Sequence, residues 1–556
     1  MERLVIKLKW ENFVADNFIF VYISINMKRK TRRNFKKQKS NYICEKGKSL
    51  EECELEILRN AVDKAEKKQG KKKIRTPEIQ EIVGIVEKFL KVKKLICYGG
   101  TAINNILPIN DQFYDKEIEL PDYDFYSMNA MDDAKKLADI YYKAGFDEVQ
   151  ASAGQHYGTY KVYVNFIPIA DITQISGEIF KNIKKEAIRV AGIYYAPPNF
   201  LRMAMYLELS RPDGDVSRWE KVLKRLMLLN KNYPLKGKDC DLIEVQRKVE
   251  SNKVKEDQDK IYKTIRDTFS DQGVIFFGSY ANSLYLNYLP KKRREQYIPD
   301  FDVLSEDPET TILIVKERLQ DEGIKGVKVK KHDKIGELVT KHYELIVGNE
   351  TIAFIYEPLA CHSYNKITIK NKVINVATID TMFSFFLAFY YSNREYYDKN
   401  RILCMCNLLF SILQKNRLNQ KGLLRRYSIN CYGNQPTIED MRSTKAQVFE
   451  NLKNKKNSTE YEEWFLRYAP RDNKKKVKRS TPVKKAKKTF KRSITIPGSP
   501  GKTVKVNKTK LPDTIKANYS LTPMKLTRSK TRTKRQRRNK KRTRKNRSRS
   551  LFGIKF

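Results

Sequence analysis

Two segments of this 556-residue chain repeat one layout. In the first, the apolar run Lys94–Tyr98 meets Gly99-Gly100, and Asp122-Tyr123-Asp124 begins 23 positions after Gly99. In the second, Val274–Phe277 meets Gly278-Ser279, and Asp300-Phe301-Asp302 begins 22 positions after Gly278. A repeat this regular constrains the fold more than composition does, because it points to a duplication of one strand, turn and helix unit. A short apolar run reads as a buried strand. Glycines let the backbone approach a ligand, and a helix opening there with Thr101 as its N-cap would offer free N–H groups to an anion.

The aspartates carry the chemistry. In a strand of period two, Asp122 and Asp124 project from one face while Tyr123 and Phe125 enter the core. Two such carboxylates side by side repel each other unless a cation sits between them. Mg²⁺ suits the pair, being a hard ion that takes carboxylates together with substrate phosphates. The β-prone run Tyr160–Ala170 ends in Asp171, and a strand adjacent to the Asp-x-Asp strand would bring a third carboxylate to the same place. In the second copy the corresponding strand is Thr351–Tyr356, followed by Glu357-Pro358, and no aspartate stands where Asp171 would fall. The second copy therefore reads as a domain that has lost catalysis. Asp300 and Asp302 keep open the alternative of two active sites.

The glycine turn, the Asp-x-Asp pair and the later aspartate resemble the nucleotidyltransferase superfamily of the DNA-polymerase-β type. The stretches Tyr194–Met203 and Leu209–Val222 resemble more closely the poly(A) polymerase catalytic subunits of large DNA viruses, the mimivirus-like group above all. The resemblance spans roughly Glu52 to Tyr468. It implies an α+β (α/β) fold of two tandem nucleotidyltransferase domains with helical additions. It also implies that Asp122, Asp124 and Asp171 are the catalytic, metal-binding residues and that Gly99 and Gly100 hold the nucleotide's phosphates. The activity implied is template-independent transfer of AMP from ATP to an RNA 3′-hydroxyl, with Mg²⁺ or Mn²⁺. A homodimer in the host cytoplasm, at the viral factory or packaged in the virion, is implied as well. The rival readings are another RNA nucleotidyltransferase, CCA-adding or uridylyl-transferring, and a non-catalytic RNA-binding protein on the same scaffold.

Arg218, Lys221, Lys224 and Arg225 recur at helical spacing, which suits a face that neutralises a triphosphate or an RNA backbone. Thr101, Arg218 and Lys221 thus join Gly99 and Gly100 as candidate nucleotide-binding residues. Thr378–Leu413, rich in aromatic and aliphatic residues, reads as two core helices. His156, His332, His342 and His362 show no metal spacing.

Charge supplies the partner. The formal net charge is +47, and from Arg471 to Phe556 there are 33 Lys+Arg against 2 acids. Such a tail cannot bury enough surface to fold, so it is expected to be disordered and to hold RNA without choosing sequence. The expected divisions are a basic extension over 1–45, a catalytic domain over 46–235, a second domain over 236–470 and the tail over 471–556. Phe18–Ile25 is too short to span a bilayer, so no membrane is expected. The eight cysteines show no C-x-x-C pair; buried thiols in a reducing compartment are expected, with neither zinc nor disulfides.

Overall fold

A computed structural model describes residues 48–115, 117–240, 247, 254, 256–289, 298–369, 371–417 and 419–472. The segment 1–45 and nearly all of the basic tail lie outside these residues. The described residues up to Gln69, most of them in the helix α1 (Leu50–Ile74), belong to one unit; Gly70 onward forms the other.

The second unit holds two eight-stranded sheets, and seven strands of one match seven of the other in order. The first contains β1 (Ile96–Cys97), β2 (Tyr123–Ser127), β3 (Val149–Ala153), β4 (Thr159–Val164), β5 (Ile167–Gln174), β6 (Ile188–Val190) and β7 (Ile193–Tyr195). The second contains β8 (Ile275–Phe277), β9 (Phe301–Leu304), β10 (Val327–His332), β11 (His342–Val347), β12 (Glu350–Tyr356), β13 (His362–Ile369) and β14 (Lys372–Ala377), with β15 (Cys431–Tyr432) beside β13. The order β3-β4-β5-β2-β1-β7-β6 in one is β10-β11-β12-β9-β8-β14-β13 in the other. Strand directions agree as well: β2 and β5 are parallel, as are β9 and β12. The duplication read from two glycine-to-aspartate spacings thus extends over seven strands of each sheet.

Each copy opens α-helically after its glycine, with α2 (Pro77–Lys93) preceding β1, then α3 (Gly99–Ile106), α4 (Ala130–Lys143) and α5 (Gly177–Lys185). After β7 come α6 (Pro198–Leu209) and α7 (Trp219–Asn232). The second copy supplies α8 (Gln258–Asp271), α9 (Gly278–Tyr285), α10 (Pro308–Asp321), α11 (Ile379–Ser392) and α12 (Lys399–Lys415). The equivalent helices α6 and α11 pack on each other, Tyr206 stacking on Phe383 at 4.5 Å and Phe200 meeting Tyr391 edge-on at 5.2 Å. This explains why α11 is buried on nearly every side: a partner helix covers the face its own sheet leaves open. The two core helices expected from Thr378–Leu413 are α11 and α12.

Two local readings change. Tyr160–Ala170 is not one strand ending at Asp171. Asn165 and Phe166 take positive φ (48° and 64°), a two-residue turn of the kind that matches strand twist, and the run folds back as β4 and β5 with Asp171 in the middle of β5. The chain beyond Thr437, assigned by its place in sequence to the second domain, returns to the first sheet. After α13 (Ile438–Leu452) and α14 (Thr459–Phe465), β16 (Arg467–Tyr468) pairs with the edge strand β3. Among the described residues no helix is long and apolar enough to cross a membrane.

Candidate active site

Asp122 precedes β2, Asp124 lies within it, and the alternating residues Tyr123 and Phe125 are buried. Parallel pairing of β2 with β5 sets Asp171 directly opposite Asp124, so the two carboxylates stand on one face of the sheet. All three predicted carboxylates are therefore brought together. Burial and then the Asp122 and Asp171 charges push Asp124 up to about 7. Burial and the Asp171 charge likewise raise Asp122 above the usual carboxylate range. Three crowded oxygen ligands with a raised appetite for positive charge fit a hard divalent cation. On the neighbouring strand Lys161 stands opposite Asp171 and is bonded to its Oδ2. Sequence pattern gave no signal for that lysine, because only the register of the β4–β5 hairpin places it there.

Gly99 has a φ of +71°, and a Cβ at this position would run into the Asp124 carboxylate. Glycine is required here on both counts. Beside Gly100 stand the Tyr114 hydroxyl and the Arg225 guanidinium, joined by a bond of 2.5 Å, with the Arg225 guanidinium also 5.0 Å above the Phe113 ring. Arg225 thus leaves the exposed face of its helix and reaches the glycine turn. Thr101 corrects the expected cap. The helix begins at Gly99 with Tyr98 as its N-cap, and Thr101 is buried inside its first turn. Its hydroxyl donates to the carbonyl of Asp122 at 2.6 Å, so it positions the backbone of the aspartate.

The other basic residues separate. Arg218 ends a short 3₁₀ turn ahead of α7 and pairs with Glu208 at 3.2 Å, while its charge acts on Asp124. Lys224 pairs with Glu220 one helical turn away and is solvated. Lys221 is exposed on α7, with no bond to the aspartates among the described residues. The stretch Tyr194–Met203 is structural in its most polar member. Arg202 is fully buried, donates to Asn230 Oδ1 at 2.7 Å, and also bonds Asn199 and the Tyr233 carbonyl, tying α6 to the C-terminal end of α7.

The second copy keeps the turn and loses the cation site. Gly278 repeats the positive φ, at +70°, and packs on Asp302 as Gly99 packs on Asp124. The β9–β12 register, however, sets Phe354 opposite Asp302 where Asp171 stands in the first copy. Asp300 is buried and already occupied. Arg247 donates to it from Nε at 2.6 Å and from its backbone N–H at 2.8 Å, and Arg401 Nη2 donates at 2.8 Å. Although burial opposes it, those two guanidiniums hold Asp300 below the usual carboxylate range. Arg401 is the α12 counterpart of Arg225 on α7: it reaches Ser279, the second residue of the turn, and continues onto the aspartate. The Arg247 guanidinium lies 5.0 Å over the Phe354 ring. A cation–π contact and an ion pair thus fill the space between the two strands.

The cysteines overturn the expectation of free thiols. Cys240 is joined to Cys404 and Cys361 to Cys431, whereas Cys97 and Cys406 are buried thiols. Asp213, Cys361 and Cys431 bring three potential ligand atoms within 4.8 Å of one another, the one such group among the described residues, but both sulfurs are committed to each other. Of the histidines, His362 is fully buried and burial pushes it down to about 3, while His342 is stacked on His332.

Comparisons with known proteins agree with this geometry. Residues 84–215 match the family described as poly(A) polymerase catalytic subunit, a span that contains the glycine turn and all three aspartates. A protein of Acanthamoeba polyphaga mimivirus, provisionally described as a poly(A) polymerase catalytic subunit, is 28% identical over 281 residues, 49% of this chain and 45% of the relative. An African swine fever virus protein of the same description is 33% identical over 171 residues, 30% of this chain and 36% of the relative. The chain thus spans less than half the length of these relatives. The crystal structure of the Megavirus polyadenylate synthase superposes with a TM-score of 0.64 at 19% identity, covering 84% of this chain and 95% of that one, so the two share a fold. The family that the stretches Tyr194–Met203 and Leu209–Val222 resemble is the one these matches describe.

Proposed function

We propose that the chain is a template-independent polynucleotide adenylyltransferase, transferring AMP from ATP to the 3′-hydroxyl of RNA and extending a poly(A) tail. The observation that carries the reading is the pairing of Asp124 with Asp171 beside Asp122, on the face where Gly99 and Gly100 turn. In the reaction the primer 3′-oxygen bonds to the α-phosphorus of ATP, the bond to pyrophosphate breaks, and the hydroxyl proton is lost. Divalent ions, Mg²⁺ or Mn²⁺, held by the three carboxylates would supply the charge that activates the hydroxyl and offsets the leaving group.

The chain's own residues do the positioning. Thr101 fixes the backbone of Asp122, and Lys161 holds the Asp171 carboxylate toward the site. Gly99 lets the first turn of α3 lie against Asp124, and Arg225 waits at that turn as a cation for the triphosphate. The second copy has traded a cation site for the Arg247–Asp300–Arg401 cluster, which supports a scaffolding role. The divisions 46–235 and 236–470 then correspond to an active and a silent domain, with Thr437–Tyr468 strapped back onto the active one.

A homodimer is part of the proposal, and a monomeric mass in solution would count against it. So is action in the host cytoplasm at the viral factory, as suits the large DNA viruses that carry the relatives. The test is extension of an RNA primer by each NTP separately. Extension by ATP alone, dependent on a divalent ion, supports the reading. Preference for CTP or UTP would assign one of the other transferases, and no incorporation at all would leave an RNA-binding scaffold.

A further inference from the structure

The aspartates do not end the polar face of the first sheet. Register carries it outward one residue per strand. Asp124 on β2 pairs with Asp171 on β5, Asp171 with Lys161 on β4, Lys161 with Ser152 on β3, and Ser152 with Arg467 on β16. Residues directly opposite one another share a face. The five side chains therefore form a row across five strands, about 14 Å from Asp171 to Arg467 at about 4.8 Å per strand.

The opposite face of the same strands is closed. Tyr160, Val162 and Ala151 are buried, and the Tyr468 hydroxyl donates to Asp139 on α4 at 2.7 Å. Fixing Tyr468 on that side forces Arg467, its chain neighbour, onto the aspartate side, where it is exposed. Lys445 on α13 stands beside it, donating to the Gly154 carbonyl at 3.2 Å, and the two cations repel each other. Neither is bonded to a carboxylate among the described residues. Capping the edge of β3 could be done by any short strand. It does not account for a strand that crosses back from the second copy to set an exposed arginine in line with the aspartates, with Lys445 on the neighbouring helix beside it.

We propose that this row is the track of the RNA primer: the strand of RNA approaches across β16, β3 and β4, with its phosphates on Arg467 and Lys445 and a hydroxyl contact at Ser152, and delivers its 3′ end to Asp171. Lys161 is the last cation before the chemistry. The inference rests on the polymerase reading for what happens at Asp171, but the ligand it names, single-stranded RNA, is recognised by the row itself. Phosphate contacts of this kind bind without reading sequence, as a growing homopolymer end requires.

The test uses the full-length protein and a short oligo(A) primer carrying a photoreactive base a few nucleotides from its 3′ end. Cross-links are expected on the peptides of β16 and β3. Arg467→Glu should reduce their yield about tenfold and raise KM for the primer to a similar degree, with little change in kcat or in KM for ATP. Arg467→Lys should restore both, and Arg467→Ala should lower the salt dependence of primer KM by about one phosphate contact. Cross-links confined to other surfaces, or a primer KM untouched by Arg467→Glu, would overturn the track. Should the wild-type protein incorporate no nucleotide, the polymerase reading fails, and the cross-links still report whether the row holds RNA.

Discussion

Asp124 and Asp171 are partners in register across two parallel strands of the first sheet. Asp302 and Phe354 hold the same two positions in the second. That exchange, carboxylate for phenyl ring, separates the two halves of a duplicated molecule.

Asp300→Ala should cost stability and spare chemistry. It strips Arg247 and Arg401 of the fully buried carboxylate they share, a loss of about 3–5 kcal/mol. Denaturant unfolding should show the loss, while activity per folded molecule stays near wild type. A folded variant with strongly reduced turnover would make the second copy a participant in catalysis.

Gly99→Ala and Gly278→Ala make a matched pair. Both residues sit at φ near +70° with an aspartate against them, so both substitutions strain the backbone. The first should abolish incorporation, because Asp124 must move. The second should lower the unfolding midpoint and leave the turnover of the folded fraction intact.

Arg225→Ala should raise KM for ATP about tenfold or more, because it removes the cation beside Gly100. Lys224→Ala should do nothing measurable, its ion pair with Glu220 being solvated. Steady-state kinetics at varied ATP compares the two. Equal effects would show that the helix acts only through its net charge.

Stability should fall as pH drops below about 6.5. Burial depresses His362 to about 3 and His342 to about 4, so in that window the unfolded chain binds protons that the folded chain refuses. The contribution is fully present above the ordinary histidine range and is lost as pH falls from about 6.5 toward those values. Thermal midpoints between pH 7 and 5 should decline less steeply in His362→Leu than in the wild type. An unchanged slope would mean that His362 is protonated in the fold.

The first copy was largely legible in the sequence because its signals are local. A glycine turn, a period-two Asp-x-Asp and a β-prone run that includes Asp171's strand each stand within a few residues. What escaped depends on contacts far apart in the chain. Thr101 looked like a cap, but the carbonyl of Asp122 claims its hydroxyl. Arg247, Arg401 and Arg467 are unremarkable in sequence, and only packing, or the return of β16 to the first sheet, gives them a role. The cysteine pairs escaped for the same reason, being separated by 164 and 70 positions.

The central claim is that the first-copy aspartates alone transfer the nucleotide. Primer extension with ATP and a divalent ion, run side by side on the wild type, Asp122→Ala and Asp300→Ala at matched folded concentration, tests it most directly. The account predicts tailing by the wild type and by Asp300→Ala, and none by Asp122→Ala even though it still binds RNA. Tailing by Asp122→Ala at the wild-type rate would contradict it.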